Sequence, residues 1–183
     1  MTTSEKMLFE FNGIPTRFKG RTFENYVPVG VDPRPVCMQA LTDKRGIFID
    51  GNTGTGKTHL AVACLHWLIP QTNVSYRFLP TSELMLELKA SFSREGEKGV
   101  LDHHRKPTVL VLDDIGAEKV SDWSRQMFYT LIDRRYRDMS ITIITSNLSL
   151  AKISELIDDR ISSRIPEMCE VVHLTGPDKR VTK

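Results

Sequence analysis

The sequence predicts an α/β fold built on a parallel sheet, and three observations carry that prediction. Short apolar runs such as Gly46–Asp50 and Thr108–Asp113 lack polar alternation, which suits strands covered on both faces. Stretches with helical periodicity separate these runs, and strand–helix alternation calls for right-handed crossovers between parallel strands. Finally, a glycine-rich segment, Gly51-Asn52-Thr53-Gly54-Thr55-Gly56-Lys57-Thr58, stands between the first run and the helix after it. It fits the phosphate-loop pattern G-x-x-x-x-G-K-[ST] at every fixed position.

Each element follows from local pattern. Gly46–Asp50 is a buried strand feeding the glycine-rich segment. Lys57–Ile69 reads as a helix with Leu60, Cys64, Leu65 and Leu68 on one side and Pro70 as its stop. Val74–Leu79 is the second strand. Thr81 is a candidate N-cap for an amphipathic helix through Leu84, Leu88 and Phe92. The charged stretch Ser93–Lys106 carries two glycines and reads as a loop or short helix. Thr108–Asp113 is the third strand. Ser121–Asp138 is the longest helix, its buried stripe drawn from Trp123, Phe128, Leu131, Ile132 and Tyr136. Ser140–Ser146 is the fourth strand, Leu150–Leu156 and Asp158–Ile165 are short helices, and Glu170–Leu174 is the last strand.

Whole-chain properties bound the rest. A length of 183 residues without internal repeat, low-complexity tract or linker suits one domain over residues 1–183. Hydrophobic content of 40% and charged content of 26% are ordinary for a soluble chain. A formal charge of +2 permits a nucleic-acid partner without arguing for one. Cys37, Cys64 and Cys169 are widely spaced and odd in number, which argues against a disulfide framework and a zinc site. The first residues, Met1 to Lys6, lack the basic and apolar regions of a signal peptide, and no apolar stretch approaches a membrane span. The expectation is a cytoplasmic chain with no membrane partner.

The glycine-rich segment and the acids after the third strand carry the chemistry. Gly51, Gly54 and Gly56 let the backbone approach a phosphate and turn N–H groups toward it. The helix that starts there favours negative charge at its N-terminus. Lys57 is placed to reach β- and γ-phosphates and Thr58 to ligate Mg²⁺, so the nucleotide-binding set is Gly51 through His59. Asp113 ends a buried strand, where ligands of open α/β sheets collect, and is the second metal candidate with Thr58. Asp114 can orient or deprotonate an attacking water. Asp113-Asp114-Ile115-Gly116 also fits the D-x-x-G pattern of GTPases, but no N-K-x-D stretch follows to read guanine. ATP with Mg²⁺ is therefore the expected cofactor pair. Asn147 ends the strand Ile141–Thr145 at the same edge, where it could sense the γ-phosphate, place the water, or simply end the strand in a turn. Arg135 falls near the centre of the stripe formed by Phe128, Leu131 and Ile132. A cation there is expected to pair with a buried acid or to point across an interface toward nucleotide or DNA.

With these residues in place the chain resembles the AAA+ ATPases, specifically the bacterial helicase loaders of the DnaC/DnaI type and the related IstB-type transposition ATPases. Gly13-Ile14-Pro15-Thr16-Arg17-Phe18 and Thr22-Phe23-Glu24-Asn25-Tyr26 resemble the segment that precedes the ATPase core in those proteins. Val109–Glu118 resembles their second acidic motif, and Leu131–Tyr136 and Ile143–Asn147 resemble their next helix and sensor strand. The resemblance implies a P-loop NTPase three-layer sandwich with a parallel five-stranded sheet; little or no C-terminal lid is expected, a departure from the family, because few residues follow Arg180. It implies a lead-in over residues 1–30 and an arginine-finger and sensor 2 region over residues 158–183. By the same resemblance Asn147 is sensor 1, and Arg164 is a finger reaching a neighbouring subunit's nucleotide, with Arg160 as the alternative. Arg180 is the sensor 2 arginine. The implied catalytic set is then Asp114, Asn147, Arg164 and Arg180, with aspartate at 114 where related enzymes more often carry glutamate. Only about a dozen residues precede Gly13, so the loaders' helicase-binding region is not expected here.

The resemblance implies a homo-oligomer with ATP sites between subunits. Three activities are compatible with it: an ATP-hydrolysing helicase loader acting with single-stranded DNA and a replicative helicase, an accessory ATPase acting with a transposase on duplex DNA, or an ATP-switched binding module with little turnover. Candidates for DNA contact are Arg134, Arg135 and Arg137 on the long helix and Arg17, Lys19 and Arg21 near the start; the alternative is that they form solvated faces.

Overall fold

The computed structural model describes residues 13–72, 74–91, 94–116 and 121–181. Phe92, the stretch 117–120 of the acidic motif and the first twelve residues lie outside this set. A single turn of 3₁₀ helix at Thr16–Phe18 precedes helix α1 (Arg34–Thr42), strand β1 (Gly46–Gly51), α2 (Lys57–Thr72), β2 (Tyr76–Pro80), α3 (Thr81–Ala90) and α4 (Arg94–Arg105). Then follow β3 (Val109–Ile115), α5 (Asp122–Arg137), β4 (Ile141–Ser146), α6 (Leu150–Leu156), α7 (Asp159–Met168) and β5 (Cys169–Leu174).

The five strands form one sheet in the order β2-β3-β4-β1-β5, and every neighbouring pair is parallel. The apolar runs divide between its two faces by strand periodicity. Ile47, Ile49, Val111 and Ile143 pack with α1 and α2 through Cys37, Leu41, Leu60 and Cys64. Phe48, Leu110, Leu112 and Ile144 pack with α3, α5 and α7 through Leu84, Leu88, Leu131, Ile132 and Ile161. The result is helix, sheet, helix, the three layers expected. Each such Leu or Ile stabilises the fold by roughly 1.5–3 kcal/mol relative to exposure.

Several local expectations are corrected. Pro70 does not stop α2, which runs on through Gln71 to Thr72. The proline removes one bond of the ladder, while Gln71 Nε2 donates to the Trp67 carbonyl and Thr72 Oγ1 to that of Leu68, at 2.5 and 2.9 Å. Thr81 is not an N-cap: Pro80 holds that position, and Thr81 Oγ1 donates 2.9 Å to the carbonyl of Asp114. The stretch after Ser93, open between a loop and a short helix, is a helix of 12 residues. Its glycines disfavour helix, but Trp123 Nε1 donates to Glu97, Arg134 pairs with Asp102, and Leu101 and His104 are buried beneath it. Helix α1 was not anticipated; Pro33 and Pro35 stand at its cap and first turn, where a missing N–H costs nothing.

Arg135 meets neither expectation. It is wholly buried, and its guanidinium donates to Thr142 Oγ1 and to the carbonyls of Arg105, Pro107, Thr108 and Ile141, at 2.7 to 3.3 Å. Burial pushes its pKa down to about 10. The side chain ties α5 and the end of α4 to the amino ends of β3 and β4. Arg134 and Arg137 are also engaged, with Asp102 and Asp133 respectively. Among the described residues, no helix is long and apolar enough to cross a membrane.

Candidate functional site

At the carboxyl edge of the sheet, β1 ends in Gly51 and the chain turns through Gly56 before α2 begins at Lys57. Gly51 and Gly54 have φ of 144° and 78°, a region that L side chains rarely adopt. A methyl at Gly51 would strike the Leu174 carbonyl, and one at Gly54 would strike Asp178. The turn is therefore closely packed against the segment after β5, and Lys179 N–H donates to the Gly54 carbonyl at 3.1 Å.

A cavity of about 580 Å³ lies over this turn. Thr53, Gly54, Gly56, Lys57, Thr58, His59, Asp113, Asp114, Asn147 and Arg180 line it. The structure thus brings most of the sequence-predicted groups together, while Gly51, Asn52 and Thr55 belong to the turn without lining the cavity. Lys57 Nζ donates to the carbonyls of Gly51 and Asn52 at 2.8 and 2.9 Å and to Asn147 Oδ1 at 2.6 Å. Burial pulls its pKa below the usual lysine value, opposed by the charges of Asp114 and Asp113. Asn147 in turn donates from Nδ2 to Asp114 Oδ1 at 2.9 Å, so the amide bridges the lysine and the second acid. Thr58 Oγ1 lies 3.0 and 3.2 Å from the two carboxylate oxygens of Asp113. Burial raises the Asp113 pKa, while hydrogen bonds from Thr145 and Thr58 hold it down.

Other expected residues lie elsewhere. Arg164, on α7, does not line the cavity: it pairs with Asp133 at 2.7 Å and donates to the Tyr129 hydroxyl at 3.1 Å. Arg160 pairs with Asp158 at 2.7 Å and stacks 3.9 Å over the Tyr129 ring.

The cavity also includes residues that sequence reasoning did not single out for it. Arg17, Phe18, Arg21, Asn25 and Val27 from the lead-in, and Lys179 from the chain's end, complete its wall. Lys179 Nζ donates to the Val27 carbonyl at 2.5 Å, and its burial lowers its pKa. His59 Nε2 sits 3.1 Å from the Thr22 carbonyl, which requires its proton on that nitrogen, and its ring meets Tyr26 edge-on at 5.1 Å. No local pattern marks these contacts, because segments far apart in sequence make them.

The wall fits a polyphosphate. Five cationic side chains, Arg17, Arg21, Lys57, Lys179 and Arg180, line one space, and the bonds of Lys57 all go to neutral oxygens. It also fits a magnesium ion, because a hydroxyl and a carboxylate, both hard oxygen donors, converge at Thr58 and Asp113.

Comparison with known proteins gives matching results. A family profile described as "IstB-like ATP binding protein" matches residues 25–183. The chain is 34% identical over 180 residues to the uncharacterised protein YqaM of Bacillus subtilis (strain 168), covering 88% of this chain and 56% of that protein. It is 27% identical over 151 residues to the insertion sequence IS232 putative ATP-binding protein of Bacillus thuringiensis subsp. berliner, covering 80% of this chain and 60% of that one. The crystal structure of the DnaC helicase loader superposes with a TM-score of 0.78 at 29% identity, covering 88% of this chain and all of that chain. The chain therefore spans somewhat over half the length of these two curated relatives.

Proposed function

Since the chain belongs to the IstB-like ATP binding protein family, we propose that it is a Mg²⁺-dependent ATPase whose site is completed by a second copy, and that it works as a helicase loader. The observation that carries the hydrolytic reading is the unbroken series from Lys57 through Asn147 to Asp114 at the cavity wall. Lys57 holds the β- and γ-phosphates, and exchanges its loop carbonyls for phosphate oxygens as it does so. Asn147 orients Asp114, and Asp114 directs the attacking water. Thr58 and Asp113 would hold Mg²⁺, which would supply charge compensation on the phosphate oxygens. Arg180 faces the same space from the segment after β5. Arg164 is the residue proposed to act on a neighbour's nucleotide, and to do so it would exchange its bridge to Asp133 for the phosphate.

Mixing two inactive variants tests the assembly. Lys57→Ala and Arg164→Ala chains each hydrolyse little ATP alone. Combined, they form an interface that joins an intact phosphate loop to an intact arginine, and activity is expected to return. If no mixture recovers activity, completion by a second copy is wrong.

The loader role is supported by coverage of the whole chain of the DnaC structure at 29% identity. A second role, accessory ATPase to a transposase, is favoured by the IS232 relative. Recovery of a replicative helicase from the native cell in the presence of ATP and Mg²⁺ supports the first, and recovery of a transposase supports the second. Phosphate release stimulated by single-stranded DNA separates the loader from a switch with little turnover.

A further inference from the structure

The ladder between β3 and β4 breaks where the two acids stand. Leu112 pairs with Ile144 and Ile115 with Ser146, so Asp113 and Asp114 together oppose the single residue Thr145. This is a β-bulge in a parallel ladder, where bulges are uncommon. Strict alternation would send two consecutive side chains to opposite faces of the sheet. Here both carboxylates line one cavity. Asp114 makes this possible with φ of 64°, left-handed backbone that a non-glycine residue keeps only where its surroundings hold it.

Two buried hydroxyls do the holding. The Asp114 N–H donates to Thr145 Oγ1 at 2.8 Å, and the Asp114 carbonyl accepts from Thr81 Oγ1 at 2.9 Å. Thr145 is 1% exposed and Thr81 3%. Thr145 gives its own proton to Asp113 Oδ1 at 2.7 Å, so its lone pair is the part left for Asp114. One hydroxyl comes from β4 and the other from the first residue of α3. Asp114 is therefore clamped from two independently anchored elements.

We propose that Thr145 and Thr81 are positioning residues for the water-directing carboxylate. Together they stabilise the bulge in its left-handed form and thereby set where the Asp114 side chain points. The proposal rests on the role given to Asp114 above.

Thr145→Val keeps the shape and removes the hydroxyl; Thr145→Ser keeps the hydroxyl. Thr145→Val is expected to lower kcat about tenfold or more, the scale on which small misplacements act. In Thr81→Val, KM for ATP and affinity for a non-hydrolysable analogue stay within about twofold, because that hydroxyl bonds the Asp114 carbonyl and not the metal candidate Asp113. Thr145 also donates to Asp113, so Thr145→Val is expected to weaken both as well. Thr145→Ser restores most of kcat, and Thr81→Val gives a smaller loss of the same kind. In an Asp114→Asn background, Thr81→Val adds nothing further. A readout independent of turnover is exchange of the Asp114 amide followed by NMR: slow in the parent chain and Thr145→Ser, fast in Thr145→Val. Unchanged kcat in Thr145→Val, a Thr81→Val loss that persists in the Asp114→Asn background, or an unprotected Asp114 amide in the parent chain would each overturn the proposal. Full turnover in Asp114→Asn alone removes the role of Asp114 itself, and the proposal with it. That single variant therefore separates the two failures.

Discussion

Two buried cations stand at opposite ends of the sheet, and they differ in what lies beside them. At the carboxyl end, Lys57 is 7% exposed and its ammonium rests on two loop carbonyls and the Asn147 amide. At the amino end, Arg135 is fully buried and spreads its donors over one hydroxyl and four carbonyls. Both are satisfied by neutral oxygens. Only Lys57 borders a cavity, and a compact ammonium on a flexible stem can exchange its partners where a planar fork in a closed site cannot. Burial of charge is thus not itself a mark of function. Open space beside the charge, lined by groups that suit a ligand, is the distinguishing feature.

The comparison breaks most sharply if the two residues are exchanged in kind. Arg135→Met leaves five acceptors short of donors and is expected to lower unfolding free energy by about 3 kcal/mol, read from urea melts. Nucleotide affinity of the folded fraction should stay as it was. Lys57→Ala should do the opposite, with ATP affinity falling about a hundredfold by calorimetry and little change in melting temperature. Equal behaviour of the two variants would erase the distinction.

A smaller effect should follow from Gly54→Ala. The methyl meets Asp178 and must sit at φ of 78°, so a cost of about 1–2 kcal/mol is expected, with weaker ATP binding. Stability loss without any change in nucleotide affinity would show that the segment after β5 does not shape the site.

The smallest effect concerns pH at the edge of the amino end. His104 is buried, and Nε2 contacts Glu87 at 2.7 Å. Desolvation lowers its pKa below 6.5, opposed by Glu87. Above that value both folded and unfolded chains carry it neutral, and its contribution is present in full. As pH falls through 6.5 the unfolded chain takes up the proton first, so stability declines until the folded state is protonated too. His59 and His66 are shifted in the same direction. The urea midpoint should therefore drop on acidification, and less so in His104→Gln. A drop of the same size in that variant would assign the effect to the other histidines.

The layered fold was legible from the chain, and so were the glycine-rich turn and the acids that face it. Continuous apolar runs such as Gly46–Asp50 encode burial on both faces, and a motif of eight consecutive residues needs no distant partner to be recognised. Helix α4 was obscured because its glycines speak locally against a helix, while the contacts of Glu97, Asp102 and His104 that stabilise it come from elsewhere. Position on a helical stripe set Arg135 off the polar face but left burial and an interface both open, and its acceptors are strand-end carbonyls that periodicity cannot see.

The linear order of residues determined which groups meet at the carboxyl edge of the sheet, since strand ends and the turns after them are local features. Tertiary structure alone decided how those groups are aimed. Lead-in residues 17–27 and Lys179 close the cavity, Asn147 joins Lys57 to Asp114, and Thr81 and Thr145 hold the bulge that turns two adjacent acids to one side. The physical reason is that hydrogen-bond direction depends on where separate elements pack, and separations of tens of residues carry no local signal of it.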